Sequence, residues 1–156
     1  MPKTTTTVAT IGYEGATMPG FLRALREGGV ELLVDVRAVA SSRRPGFSKT
    51  ALAAHLKEAG IDYLHLRGLG TPADGRAAAR GGKHAEMRRI FLSHLSTEVA
   101  QGELETVANL VREGRRLCLL CFEADATHCH RSLVADALAA KLKVDVVHLT
   151  PQTEAA

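Results

Sequence analysis

The sequence predicts an α/β fold: a single three-layer domain with a mainly parallel central sheet of about five strands flanked by helices. Three observations predict it. Short apolar runs recur at Val8–Ile11, Leu32–Val36, Ile61–Leu66, Leu117–Cys121 and Val144–Leu149. The stretches between them carry apolar residues at helical spacing, and strands alternating with helices favour a parallel sheet. The length of 156 residues suits one domain with its own core.

In chain order, Val8–Ile11 reads as the first strand and Gly12 to Gly15 as a turn. Thr17 is placed to cap a helix carrying Phe21, Leu22 and Leu25, which ends at Gly28 and Gly29. The run Leu32–Val36 has few polar residues, as expected of a strand buried on both faces, and Asp35 near its end is unusual. Ser48 or Thr50 opens the next helix, with Leu52, His55 and Leu56 at helical spacing before Gly60. After the third strand, the Gly- and Ala-rich stretch from Gly68 to Gly82 looks the least ordered, either a mobile lid or slack chain. Helices are expected over His84–Leu95, Leu104–Val111 and from the Arg131 region to about Leu142. One domain is expected over 1–156, with 1–6 and 150–156 as flexible ends.

Composition narrows the class. A hydrophobic fraction of 46% and a charged fraction of 24% are those of a globular chain. No apolar run reaches the roughly 18 residues a membrane span needs, and the start does not read as a secretory signal. Three cysteines, an odd number, do not suggest a disulfide framework. The expectation is a cytoplasmic protein with reduced thiols and no membrane partner. The net charge of +3 is too small to establish a nucleic-acid partner by itself. Its distribution says more: Arg37, Arg43, Arg44 and Lys49 share one loop with no acid, and Arg67, Arg76, Arg80 and Lys83 share another with Asp74 alone.

In a parallel sheet all strand-to-helix loops emerge at the carboxyl edge, where ligands bind. Three loops should therefore meet: Arg37–Ser48, Arg67–Lys83 and Phe122–His130. The first two are basic. The third carries Glu123, Asp125, Thr127, His128, Cys129, His130 and Arg131. Cys118 and Cys121 resemble a C-x-x-C pair, but residues three apart on a strand point to opposite faces. Cys118 is thus expected in the core and Cys121 at the mouth of the loop. Cys129 near a helix start would have a lowered pKa, and Arg131 offers a fork for phosphate or carboxylate. The bland alternative has Thr127 capping the helix, Cys129 packing inward and Arg131 pairing with Glu123 or Asp125. The donors Cys121, Glu123, His128, Cys129 and His130 suit zinc by type. Adjacent residues rarely ligate one ion, however, so no metal and no cofactor are expected. Asp35 and Arg37 point to one side of a strand end, as an internal ion pair or as part of an anion clamp with Arg43, Arg44, Ser41 and Ser42. Gly12 to Gly15 lacks the G-x-G-x-x-G pattern, and Glu14 would repel a pyrophosphate, so a dinucleotide site is not expected.

The segments TIGYEG, LVDVR, SSRRPGFSK, YLHLRGLGTP and LLCFEADATHCHRSLVADAL run through nearly the whole chain. In them the sequence resembles the DUF488 family, whose reaction is undetermined. The resemblance implies a compact α/β domain with signature residues at one site: Tyr13, Arg37, Ser42, Arg43, Cys121, Glu123, Cys129, His130 and Arg131. A second resemblance, to rhodanese-like domains, rests on Asp35-Val-Arg37 and on Cys121 followed by Arg131-Ser132. Those domains hold about four residues between Cys and Arg. Here there are nine, two of them acidic, which speaks against sulfur transfer and against a Cys-based phosphatase.

Three functions follow as expectations. In the first, an enzyme or binding protein takes a phosphate-bearing small molecule or nucleic acid. Tyr13, Arg37, Ser42, Arg43, Arg44 and Arg131 bind it, and Glu123 serves as acid or base assisted by His130. Cys129 or Cys121 is available as a nucleophile. The second is a non-catalytic nucleic-acid-binding module, for which two Tyr, four Phe and no Trp offer little base stacking. The third is a thiol-dependent sulfurtransferase or redox protein.

Overall fold

A computed structural model of the chain describes residues 6–151; most of the two ends expected to be flexible lies outside them. The strands are β1 (Thr6–Gly12), β2 (Leu32–Asp35), β3 (Asp62–His65), β4 (Leu117–Cys121) and β5 (Val144–Leu149). They form one all-parallel sheet in the order β3-β2-β4-β1-β5. The helices are α1 (Met18–Glu27), α2 (Lys49–Glu58), α3 (Ala73–Arg80), α4 (His84–Leu95), α5 (Glu98–Arg112) and α6 (His130–Lys141). Single 3-10 turns lie at Arg67–Leu69 and Ala126–His128. None of the described helices is long and apolar enough to cross a membrane.

The two-residue period of the strands divides the core between the two sheet faces. On one face Ile11, Leu33, Cys118 and Leu120 pack with Phe21, Leu25, Leu52 and Leu56 of α1 and α2. On the other, Val8, Val34, Leu117 and Leu119 pack with Phe91, Leu104, Val107, Val134 and Leu138 of the later helices. Every residue of β2 and β4 is buried, as a parallel strand covered on both faces requires. This is the expected three-layer architecture, and Cys118 is indeed a fully buried core residue.

Local chemistry sets the element ends. The Thr17 hydroxyl accepts the Gly20 N–H at 3.0 Å, capping α1. Gly29 then turns the chain at φ +67°, where a side chain would be strained. Ser48 precedes α2 without a capping bond, because its hydroxyl is engaged with Ser42 instead. The stretch Gly68–Gly82 departs from expectation. It is not slack chain but an ordered 3-10 turn followed by α3, with Gly75 and Ala78 buried. Its small residues permit close packing rather than disorder. At Gly75 a Cβ would sit within 3.2 Å of Ile90 Cγ2 on α4. The helix expected at Leu104–Val111 begins earlier, at Glu98, where the Thr97 hydroxyl accepts the Ala100 N–H.

Gly12 ends β1 beneath the loop that follows β4, and a Cβ there would fall on the Glu123 carbonyl and within 2.9 Å of Arg131 Nη1. Gly12→Ala is expected to cost about 2–3 kcal/mol through this overlap. Gly102→Ala, in open space on α5, should stabilise by about 0.5–1 kcal/mol. Urea denaturation of the two variants checks both signs.

Candidate functional site

The carboxyl ends of β1, β2 and β4 open onto one cavity of about 940 Å³. Its lining comes from all three loops singled out by sequence, together with the turn after β1. Tyr13 and Glu14 come from the first turn, Arg37 to Pro45 from the loop after β2, Thr71, Arg76 and Arg80 from the third segment, and Cys121, Phe122, Glu123, His128 and His130 from the loop after β4. A volume near the upper end of the roughly 300–1,000 Å³ range suits a small-molecule site.

One wall is built on a buried ion pair. Asp35 is fully buried and Arg37 nearly so. The Arg37 guanidinium donates both Nε and Nη2 to the Asp35 carboxylate, at 2.9 and 2.7 Å. Its Nη1 reaches the Phe47 carbonyl at 2.7 Å and the Tyr13 hydroxyl at 3.2 Å. The Tyr63 hydroxyl donates to the same carboxylate at 2.5 Å. Burial works against the Arg37 charge, but the hydrogen bonds and charge of Asp35 outweigh it and raise its pKa. Burial and the Asp35 carboxylate together raise that of Tyr63. Tyr13 stacks on Phe47 with centroids 4.6 Å apart and meets Phe122 edge-on at 5.3 Å. Arg37 lines the cavity, yet its charge is answered inside the protein, which is the internal-ion-pair alternative.

Arg131 was expected to bind substrate; the structure places it elsewhere. It is fully buried and is not among the lining residues. Nε donates to Thr10 Oγ1 at 3.1 Å, Nη1 to Cys121 Sγ at 3.0 Å and to the Glu123 carbonyl, and Nη2 to the Ala124 carbonyl at 3.3 Å. It pairs with no carboxylate oxygen among the described residues. Its reach is inward because the first turn of α6 lies under the loop. There a long side chain meets carbonyls that have no partner within a helix or strand.

The groups expected to carry chemistry do come together. Cys129 is the N-cap residue of α6, its sulfur accepting the Arg131 N–H at 3.5 Å; Thr127 instead bonds to Asp125. Cys121 and Cys129 are both buried. Sequence reading treated their sulfurs as separate groups. The structure corrects this, and with it the expectation of reduced thiols: a disulfide joins Cys121 and Cys129 across the loop, with the Cα atoms 7.3 Å apart. The turn at Ala126–His128 doubles the loop back and brings position 129 over the end of β4. Glu123 reaches the same point, with Oε2 3.5 Å from Cys121 Sγ, and burial raises its pKa. Beside them the His130 Nε2 bonds to the Val36 carbonyl at 2.7 Å, so Nε2 carries the proton and Nδ1 bears a lone pair. Nδ1 lies 3.8 Å from Cys129 Sγ. Burial lowers the His130 pKa to about 4, leaving the ring neutral at pH 7.

The rim is cationic. Arg43 and Arg80 are exposed, and neither has a hydrogen bond or ion pair among the described residues. Arg44 donates Nε to the Ala16 carbonyl at 2.6 Å. Arg76 donates Nη1 to the Thr71 carbonyl at 2.9 Å. Ser42 lines the cavity while its hydroxyl accepts the Arg44 N–H at 3.1 Å. Arg76, Arg80 and Thr71 were not singled out from sequence as site residues, although their loop was marked as basic. The helical spacing of Arg76 and Arg80, four residues apart, is the signal that would have placed both on one face. His84 was also passed over. Its ring stacks on His128 with centroids 4.0 Å apart, a contact between α4 and the loop that no local pattern encodes.

The description "Domain of unknown function DUF488" matches residues 17–138, and the chain belongs to that family. The match takes in every residue discussed above as a candidate except Thr10, Gly12, Tyr13 and Glu14. No curated protein and no solved structure matches the chain.

Asp35→Ala would leave the Arg37 guanidinium buried without its counter-charge. It is expected to cost about 3–5 kcal/mol. Arg43→Ala, at the rim, should change stability by less than about 0.5 kcal/mol. Equal losses in urea denaturation would contradict this division between a structural and an available arginine.

Proposed function

We propose that this DUF488 protein binds a phosphate-bearing small molecule in the carboxyl-edge cavity and acts on it as an enzyme. The observation that carries this reading is that Arg43 of the loop after β2 and Arg80 at the end of α3, two arginines without hydrogen bonds or ion pairs among the described residues, line one concave cavity. Arg44 and Arg76 add partly engaged guanidinium groups beside them. A planar guanidinium fork suits phosphate, and several converging forks orient it. Phe122, 45% exposed, and the buried Tyr13 line the cavity and provide an apolar wall for the rest of such a molecule.

Glu123 is the proton-transfer group in this reading. Burial raises its pKa above the usual carboxylate value, the direction that favours a proton donor. The neutral His130 also lines the cavity, with an unprotonated Nδ1 3.8 Å from Cys129 Sγ. A nucleic-acid module is less well supported. The cationic groups converge on a concavity rather than lining a track, and one half-exposed phenylalanine is a poor platform for successive bases.

Isothermal titration with pyrophosphate and with a short single-stranded oligonucleotide tests the proposal. Pyrophosphate binding should weaken at least about tenfold in Arg43→Ala/Arg80→Ala, given about 1.5–3 kcal/mol for each charged hydrogen bond removed. The melting temperature of the free protein should hold. Oligonucleotide binding that falls steeply with salt and that pyrophosphate does not compete for would point to the nucleic-acid module instead. Binding of neither ligand at millimolar concentration would sink both readings.

A further inference from the structure

We propose that Cys121, Glu123 and Cys129 form a zinc site at the floor of the cavity, with one coordination position open toward its interior. Cys121 Sγ, Cys129 Sγ and a Glu123 carboxylate oxygen all lie within 4.8 Å of one another. None of the three is adjacent to another in the chain, so the objection that neighbouring residues rarely share an ion does not apply to this set. Two thiolates and a carboxylate are donors that zinc accepts in tetrahedral geometry, and three protein ligands with a fourth position left open is the pattern of a reactive rather than a structural zinc.

The surroundings support thiolates. Arg131 donates Nη1 to Cys121 Sγ at 3.0 Å and its backbone N–H to Cys129 Sγ at 3.5 Å. Hydrogen bonds of this kind hold metal-bound sulfurs in orientation. The N-terminal end of α6 adds its partial positive charge at Cys129. The charges also close: two thiolates and one carboxylate are matched by the two charges of zinc and the one of Arg131. That balance accounts for a buried guanidinium that pairs with no carboxylate oxygen among the described residues. The competing use of the sulfurs is a disulfide. The Cα separation of 7.3 Å exceeds the roughly 4.4–6.8 Å that disulfides span. Zinc–sulfur bonds of about 2.3 Å in tetrahedral array hold two sulfurs about 3.8 Å apart and tolerate the wider backbone. Binding deprotonates both thiols and releases those protons to solvent, with no change of oxidation state. Cys121 and Glu123 line the cavity, so the open position faces any ligand held there. Zinc would hold the Glu123 carboxylate as a ligand and so replace its proton-transfer role, while the binding of an anion by the arginines stands independently.

The test uses the full chain, reduced, stripped with a chelator and titrated with Co²⁺ under argon. The expected result is one Co²⁺ per chain, with thiolate-to-metal charge transfer in the near ultraviolet and the intense visible bands of a tetrahedral ion, displaced by Zn²⁺. Cys118→Ala should retain these bands. Cys129→Ser should lose most of the charge transfer. Glu123→Gln, which leaves both sulfurs in place and guards against a folding defect, should weaken Co²⁺ binding at least about tenfold while keeping the native circular dichroism. A reduced, natively folded chain that shows no charge-transfer band overturns the proposal. So does charge transfer that survives Cys129→Ser unchanged, or an air-formed Cys121–Cys129 disulfide whose reduced form binds no Co²⁺. Pyrophosphate titration of Cys129→Ser separates the two proposals: retained phosphate binding without Co²⁺ binding leaves each to stand or fall alone.

Discussion

The buried guanidinium of Arg131 joins four parts of the chain that meet at the carboxyl edge. From the first turn of α6 it reaches Thr10 in β1, the Cys121 sulfur at the end of β4 and the carbonyls of Glu123 and Ala124 in the following loop. Taking such a charge out of water costs several kcal/mol unless its donors are satisfied. Satisfying them from different elements fixes how those elements sit. Gly12 belongs to the same arrangement, since only a residue without a Cβ leaves room for the Glu123 carbonyl beside the guanidinium. The loop between β4 and α6 is in turn tied to the β1 turn, with Glu14 N–H bonded to the Phe122 carbonyl and the Glu14 carboxylate accepting the Ala124 N–H. The relative positions of Cys121, Glu123 and Cys129 follow from this clamp.

A second buried pair works in parallel on the neighbouring loop. Asp35 and Arg37 neutralise each other beneath Tyr13 and Phe47, and the loop from Arg37 to Ser48 folds over them. The arginines of this protein therefore divide by depth. Arg37 and Arg131 hold the scaffold, and Arg43 and Arg80 project at the rim where a ligand can use them. The loops at the carboxyl edge are held by rigid internal chemistry. A fully buried arginine is pre-organised for that task, whereas an exposed one keeps its charge available.

Much of the fold could be read from residues in sequence. The apolar run at β4 has the bounds its pattern indicates, because burial on both faces demands unbroken apolar residues. Helix α4 has its expected bounds because a two-sided helix demands a stripe. Strand β5, a partly exposed edge strand, also has its expected bounds, with polar residues interleaved. Thr17 and Gly29 mark α1 for equally local reasons. The stretch Gly68–Gly82 was misread. Glycine and alanine look like slack when their neighbours are unknown, but α3 needs them to pack closely against α4. Among the candidate site residues, Arg37 and Arg131 were legible as special without being legible in role. An arginine in a loop has one sequence signature whether it turns inward to carbonyls or outward to water.

The sequence by itself determined the layered α/β architecture, the parallel sheet and the edge at which Tyr13, Ser42, Arg43, Glu123 and Cys129 would gather. Those follow from periodicity and from the rule that parallel strands send their loops to one end. Only the tertiary structure decided which side chains are spent inside and which face the cavity. It also decided that Cys121 and Cys129 meet across the loop while Cys118 stays apart in the core. The physical reason is that the partners are distant in the chain: Thr10 and Arg131, and Val36 and His130, become neighbours only when the sheet order β3-β2-β4-β1-β5 inserts β4 between β2 and β1.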